Sequence, residues 1–433
     1  MMYKRKAKIF FLMTAFLLLL QGCWGAQESD ELGYILVMGI DKGEENIIKV
    51  TFQLAVPQPV AGEKTEKATE VITVEAPSLF GAEELANAFV SKHLTMVHNT
   101  AVIVSEEIAR EGLNKYINPL VRSRELRRTN FLMVTQGKAG DFIKQNKNLI
   151  FEKYPSRQFD IFMATAYLTG FMPSANIHRF YQGLKSPGRQ PITALVGIQK
   201  SEEEKKAEDE KAEDKKNSTT REKIEGGMAY LPGEIPREGG NKIEMIGQAV
   251  FKGDRLVGFL NGKETRYYQM VTGDFGRGVF TFPDPQESEK NIIVVEIKKG
   301  RSPDIRVKIS KDKQREEEET LIEVKLFLEG EILSIQSGRN YEQGKLEQEL
   351  EKQFGEFVSR EVTKLIHKTQ EEYASDIFGF GEYTRAHFWT WSDWVAYGWL
   401  DKYPQCRVSV QTVFNIRRTG MMKKTAPSHS EGE

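Results

Sequence analysis

The chain of 433 residues holds only two cysteines, Cys23 and Cys406, so its fold cannot rest on a framework of disulfides. It holds six histidines, and none pairs with another at a metal-ligand spacing with a carboxylate between. His93 and His98 have nothing nearby to complete a zinc site. The HExxH, GxSxG, CxxC and P-loop patterns are all absent, which removes the commonest metalloprotease, hydrolase, dithiol and nucleotide-binding readings. Charge of neither sign is in excess. The 61 Lys and Arg against 62 Asp and Glu leave a net charge of -1, with no global pull toward nucleic acid. Beyond residue 20 no apolar run approaches the roughly 20 residues that cross a bilayer. Dispersed carboxylates could still meet in a folded site, which sequence order does not reveal. No catalytic residue, cofactor-binding residue or metal ligand is assigned, no cofactor is implied, and the expectation is a non-enzyme.

What is present begins at the front. Lys4, Arg5, Lys6 and Lys8 form a positive head, and "IFFLMTAFLLLL" at 9–20 is a short apolar run. Charged head, short apolar core and small residue before a cut are the parts of a secretory signal, with Gly22 as the small residue. Two readings fit: an ordinary signal peptide that a cysteine happens to follow, or a lipoprotein signal, written here Leu20-Gln21-Gly22-Cys23. Gln21 is not the favoured type at its position, but spacing, head charge and cysteine together favour the second reading. A thiol can carry diacylglycerol through a thioether, and cleavage then frees the Cys23 amine for a further acyl chain. One acyl chain binds a membrane marginally, whereas two hold stably. The expected product is a water-soluble body tied to a membrane through Cys23.

The roughly 410 residues that follow suit two or three domains. In "GYILVMGI" a continuous apolar run, and in "IKVTFQLAV" an alternating one, predict a hairpin about "DKGEEN". A strand at "ITVEAPS" and a helix over 79–92 follow. "TAVIV" reads as a buried strand, with Ser105 capping a helix that runs to about Arg124, bent near Gly112 and Pro119. "NFLMVTQG" is a strand, "AGDFIKQ" opens a helix, 156–185 is helical, and "ITALVGI" is a strand. Residues 201–223 carry no large apolar side chain; a solvated helix and a disordered insertion both fit, and the second is preferred. Two strands about Lys252-Gly253-Asp254, a helix capped by Asn261, and the strand "GVFTF" come next. Gly273–Gly278 is glycine-rich but runs from helix to strand, so it reads as a helix stop and not as a phosphate loop. From about 290 three strands of a meander lead into the longest helix. Its stripe Leu346, Leu350, Phe354, Phe357, Val358, Val362, Leu365 and Ile366 is expected to pack on that meander. A second helix carries Trp391, Trp394, Tyr397 and Trp399. "RVSVQTVFNIRRTG" closes the sheet, and Cys406 directly before it, in "CRVSVQTVF", reads as a buried small residue.

The expected fold class is α+β, with three sheet-and-helix domains after a lipoprotein signal peptide. The ranges are 1–22 for the signal peptide, 23–200 for an N-terminal α/β region and 201–240 for a charged insertion and linker. A middle sheet-helix region follows at 241–288, and a C-terminal meander-plus-helix domain at 289–421. Arg122, Arg124, Arg127 and Arg128 form one basic cluster. It could touch anionic lipid head groups, but cations at a helix C-terminus with ordinary ion pairs are the simpler reading.

Taken in order, Cys23-Trp24, Glu28, "GYILVMGIDKG", "TAVIVSEEIAREGL", "GQAVFKGDRLVGFLNGKET", "YASDIFGFGEY" and "VSVQTVFNIRRTG" resemble the Ger(x)C family, the lipoprotein C subunits of spore germinant receptors. The resemblance covers essentially the whole chain after Cys23. Two departures stand out: Gly25, Ala26 and Gln27 replace the charged residues usual after Cys-Trp, and the charged insertion is longer. The resemblance implies a non-catalytic subunit on the outer surface of the spore's inner membrane. It would act with two multi-pass membrane subunits, one transporter-like, in a receptor that senses a small nutrient. No ligand residue carries over. The rival readings are a stand-alone solute-binding lipoprotein feeding a transporter, and a surface hydrolase.

Overall fold

A computed structural model describes residues 2–19, 28, 31–56, 69–146, 155–200, 227–287, 291–311, 318–342 and 344–418. Cys23, the insertion 201–223 and the tail from Met421 lie outside the described residues. The positive head and apolar run form a helix, α1 (Met2–Leu19). No helix among the described residues is long and apolar enough to cross a membrane.

The structure is α+β, built on two sheets. In the first, the strands are β1 (Leu32–Lys42), β2 (Ile48–Ala55), β3 (Thr69–Ala76), β4 (His93–Thr95), β5 (Ala101–Ser105), β6 (Phe131–Thr135), β7 (Ile192–Ile198), β8 (Ile243–Lys252) and β9 (Arg255–Leu260). Their order is β3-β2-β1-β5-β6-β7-β8-β9, with β4 beside the start of β1. The centre, β1, β5, β6 and β7, is parallel, and both flanks are antiparallel. Continuous apolar runs sit where both faces are covered, as burial on both sides requires. One face packs on α2 (Leu79–Asn87), α3 (Glu106–Glu111), α4 (Asn114–Arg122) and α7 (Ile177–Lys185), through Ala82, Ile108, Ile117 and Phe180. The other packs on α5 (Ala139–Gln145) and α6 (Pro155–Thr169), through Phe142, Ile143 and Phe159.

Two expected helices are each divided. Ser105 caps α3 as predicted, its hydroxyl accepting from Ile108 N at 3.4 Å, but the stretch does not merely bend at Gly112. That glycine takes φ +125° and ends α3. Asp254 of the β8–β9 turn then accepts from Leu113 N and Asn114 N at 2.8 and 3.1 Å, starting α4 afresh. Pro119 sits inside α4 without breaking it. Likewise 156–185 splits at Gly170, and Asn176 caps α7 by accepting from Arg179 N at 2.8 Å.

The expected middle region, 241–288, contributes to both sheets. Its first two strands extend the first sheet, and α8 (Gly262–Thr272) follows with a full capping box between Asn261 and Glu264. Gly273, at φ +77°, stops α8 as expected, and β10 (Arg277–Pro283) opens the second sheet. The meander requires correction. Both β11 (Ile292–Lys299) and β12 (Asp304–Lys311) run antiparallel to the long β13 (Glu318–Ile335), β12 against its first half and β11 against its second. Because β14 (Arg407–Arg418) pairs in parallel with 321–331 on the other side, β11 and β12 lie end to end along one edge. They form one strand interrupted by Gly300–Pro303, where proline cannot donate to the ladder. The unit is a long hairpin flanked by β10 and β14.

The longest helix, α9 (Lys345–Glu371), covers this sheet with the predicted stripe, in which Leu350, Phe354, Val358, Val362 and Ile366 are buried. Gly355 lets its backbone approach β14, where an added Cβ would come within 2.8 Å of Thr412 O. The tryptophan segment is not one helix. It breaks into α10 (Phe380–Thr384), α11 (Trp391–Ala396) and α12 (Trp399–Lys402), because Thr390 and Asp393 cap a new start and Gly398 turns left-handed at φ +66°. Cys406 is buried, as expected.

Phe354 is fully buried against Phe280, Phe282, Phe357 and Phe414. Phe354→Ala is expected to cost about 3–5 kcal/mol, read as a fall in the urea midpoint.

Candidate functional site

The functional residue proposed from sequence, Cys23, lies outside the described residues, so its surroundings are not part of the geometry below. What the described residues bring together is a polar seam between the two sheets, built on "YASDIFGFGEY" at 373–383.

One side of this loop holds the first sheet. Tyr373 donates its hydroxyl to Phe259 O at 2.9 Å, and Ser375 donates to Phe251 O at 2.6 Å. Gln190, just before β7, donates its N–H to Asp376 O at 2.7 Å and accepts from Gly253 N through Oε1 at 2.7 Å. The other side holds the second core. The Asp376 carboxylate accepts from Gly379 N at 2.9 Å, Gly381 N at 3.0 Å and the Trp399 indole at 2.7 Å. The Trp394 indole donates to Thr384 Oγ1 at 2.9 Å. The two glycines are required for different reasons. Gly379 adopts φ +78°, and at Gly381 an added Cβ would meet the Trp399 ring at 2.2 Å. Asp376 is enclosed, and burial raises its pKa to about 6 despite the three donors.

Beside the seam lies a cleft of ≈ 390 Å³ between the two halves. Its charges are already paired: Arg179 meets Asp274 at 3.1 Å and Arg189 meets Glu382 at 3.3 Å. Tyr268 adds a hydroxyl held well above its usual pKa by burial. Among the described residues the lining holds no histidine or cysteine; its polar groups are hydroxyls, amides and the two paired arginines and carboxylates.

A second crevice opens at the C-terminal ends of β1, β5 and β6, where a sheet of this kind ordinarily takes a ligand. The backbone donors at the start of α5 beside it are taken by the chain itself. Asp41 accepts from Ala139 N at 2.7 Å and Gly140 N at 2.8 Å, and burial pushes its carboxyl pKa up. Among the described residues no three His, Cys, Asp or Glu side chains stand together as a metal ion needs. The four arginines of the basic cluster are exposed at and beyond the end of α4.

Sequence reasoning passed over Asp376. The signal that could have found it is an acid placed shortly before Gly379 and Gly381, since two nearby glycines supply close backbone donors to one carboxylate.

Residues 25–198 match the family described as "Spore germination protein N-terminal domain", and residues 246–420 match "Spore germination B3/ GerAC like, C-terminal". Among curated relatives, spore germination protein B3 of Bacillus subtilis (strain 168) is 23% identical over 86% of this chain and 87% of its own length. Spore germination protein GerQC of Bacillus cereus is 21% identical over 95% and 98%. The crystal structure of the GerBC protein aligns with a TM-score of 0.50 at 17% identity, covering 88% of this chain and 96% of the other, which bears on the fold alone.

The junction generates a pH prediction. The ordinary aspartate pKa is about 3.9, so between about pH 4 and pH 6 the unfolded chain gives up this proton first. The native state therefore loses stability as pH rises through that window. Asp376→Asn presents an amide N–H₂ to backbone or indole donors and is expected to cost about 1–3 kcal/mol at pH 7.5. It should also remove this window, so its deficit is larger at pH 4.5 than at pH 7.5 when urea midpoints are compared.

Proposed function

Because the chain belongs to the spore germination B3/GerAC-like family, we propose that it is a non-catalytic, lipid-anchored subunit of a nutrient germinant receptor. The family is that of the C subunits implicated in spore germination. The observation that carries the reading is the pair of family matches, one in each half and in the family's order, with Cys23 immediately upstream of the first. On this reading Cys23 carries a diacylglyceryl thioether and an N-acyl chain. They hold the body on the outer surface of the spore's inner membrane beside two multi-pass subunits. The nutrient reaches this subunit indirectly, if at all.

The cleft favours a second reading, a solute-binding lipoprotein that feeds a transporter. Such binders close two lobes about a hinge. Here Tyr373, Ser375 and Gln190 tie the halves through buried and half-buried hydrogen bonds, and the cleft's charges satisfy one another. The subunit reading is the better supported.

Affinity capture of the protein from dormant-spore inner membranes in mild detergent is the test. Two multi-pass proteins in near-equal amounts are expected; recovery alone, or with an ATP-driven importer, overturns the assignment. Cys23→Ala is expected to release the body from the membrane fraction or to leave the signal uncut. A cleaved variant that stays membrane-bound would contradict the anchor.

A further inference from the structure

The parallel strands of the first sheet all begin at one edge of the molecule, and three features meet there. The first is the start of the ordered body. Glu31 O accepts from His93 N at 2.9 Å, which places the start of β1 beside β4. Cys23 and Glu31 are eight positions apart in the sequence, a reach of at most about 28 Å when fully extended. An acyl anchor on Cys23 therefore keeps this edge within that distance of the bilayer. The opposite end of the strands is further away by the length of β1.

The second feature is apolar. Phe89, in the turn between α2 and β4, is 62% exposed, and Val97, in the connection from β4 to β5, is 42% exposed. Phe89 stands four positions before His93, so it lies within about 14 Å of the contact with Glu31.

The third is cationic. The segment after α4 is drawn to the same edge because Glu125 accepts from Thr95 Oγ1 at 2.8 Å and from Met96 N at 2.7 Å. Its continuation brings Phe131 N to Thr100 O at 2.9 Å, beside the starts of β5 and β6. This segment carries Arg122, Arg124, Arg127 and Arg128, all exposed. The ion pairs expected for them from the sequence are not formed: none of the four pairs with a carboxylate among the described residues. The acids nearby weaken the field only in part. Glu125 is turned onto Thr95 and Met96, Glu83 is held at a pKa of about 7 by burial and by Glu125 and Glu84, and Glu84, Glu28 and Glu31 are exposed.

We propose that this strand-start edge is the membrane-facing surface of the protein: Phe89 and Val97 enter the head-group region of an anionic bilayer while Arg122, Arg124, Arg127 and Arg128 meet its phosphates. The proposal rests on the anchor at Cys23 and adds an orientation that a tether alone does not impose. An apolar contact flanked by arginines is the pattern of an interfacial site on anionic lipid. A short tether also raises the effective concentration of surface and lipid for one another.

The test uses the mature, lipidated chain in vesicles. Cys406 is buried and Cys23 is acylated on this reading, so a single introduced cysteine takes a fluorophore selectively. Val97→Cys reports the strand-start edge. Ile47→Cys, 60% exposed in the β1–β2 turn, reports the opposite end of β1. Nitroxide-labelled lipid is expected to quench the label at 97 several-fold more than the label at 47 in vesicles of phosphatidylcholine and phosphatidylglycerol. The preference should fall in phosphatidylcholine alone. It should also fall when all four arginines become glutamine, since each is worth about a fivefold preference for an anionic surface. Equal quenching at both positions, or quenching at 97 that ignores both lipid charge and the arginines, overturns the proposal. So does burial of position 97 only when the multi-pass subunits share the vesicle, which assigns the edge to a protein partner. Flotation separates the two levels: a protein that fails to float with vesicles has lost the anchor reading, whereas one that floats with position 97 unquenched keeps the anchor and loses the orientation.

Discussion

The carboxylate of Asp376 is the point on which both sheets depend. A buried charge is costly unless donors surround it, and here they come from two glycine N–H groups and a tryptophan indole of the second core. Satisfying the charge fixes loop 373–381 in one conformation. Once fixed, the loop presents Tyr373, Ser375 and its own carbonyl to β9, β8 and Gln190 of the first sheet. One short loop thus carries both sets of hydrogen bonds, those toward the first sheet and those toward the second core.

This arrangement decides what kind of body the protein is. With β8 and β9 in the first sheet, and α8 and β10 directly after them in the second core, the chain passes between the halves without a free linker at that point. Within the second core, Lys368 and Glu264 at 2.8 Å, and Lys263 and Glu361 at 2.7 Å, tie α8 to α9. Both pairs are half-buried or better, so solvent screens them less than an exposed pair. Two sheets joined by these direct hydrogen bonds make a poor frame for a binder that closes two lobes on a solute.

The elements were legible in the sequence wherever one physical signal acted alone. Apolar runs bounded by turns marked β1, β5, β6 and β7; the three-and-four stripe marked α9; Asn261 and Gly273 marked the two ends of α8. Legibility failed where a distant partner decided the outcome. Asp254 divides the helix at Gly112 from 140 positions away in the chain. The pairing of β11 and β12 with successive halves of one strand depends on the length of β13, which alternation records without saying what lies beside it. In β1 a register shift between Ile35 and Val37 places Leu36 and Val37 on one face, which a strict period of two hides. The seam was illegible for the same reason, since its donors and acceptors come from four separate stretches. The candidate site is tertiary throughout, whereas the Cys23 reading rests on a local motif outside the described residues.

The near-zero net charge conceals how the charges are distributed. In the cleft, arginines at 179 and 189 are held by carboxylates across the seam and present little free field. At the crevice above β1, Lys42 is shared by Glu107 and Glu111, and Asp41 is consumed by backbone donors. Four arginines at the opposite end of the same strands have no such partners among the described residues. A sum close to zero, 61 basic against 62 acidic residues, is thus compatible with a local patch of exposed arginine at this edge. If the body is tethered as proposed, such a patch would orient it against a negative surface without changing how strongly the tether itself holds. On the proposed reading anchoring and orientation would be separate properties, the first resting on Cys23 and the second on where the fold leaves its arginines.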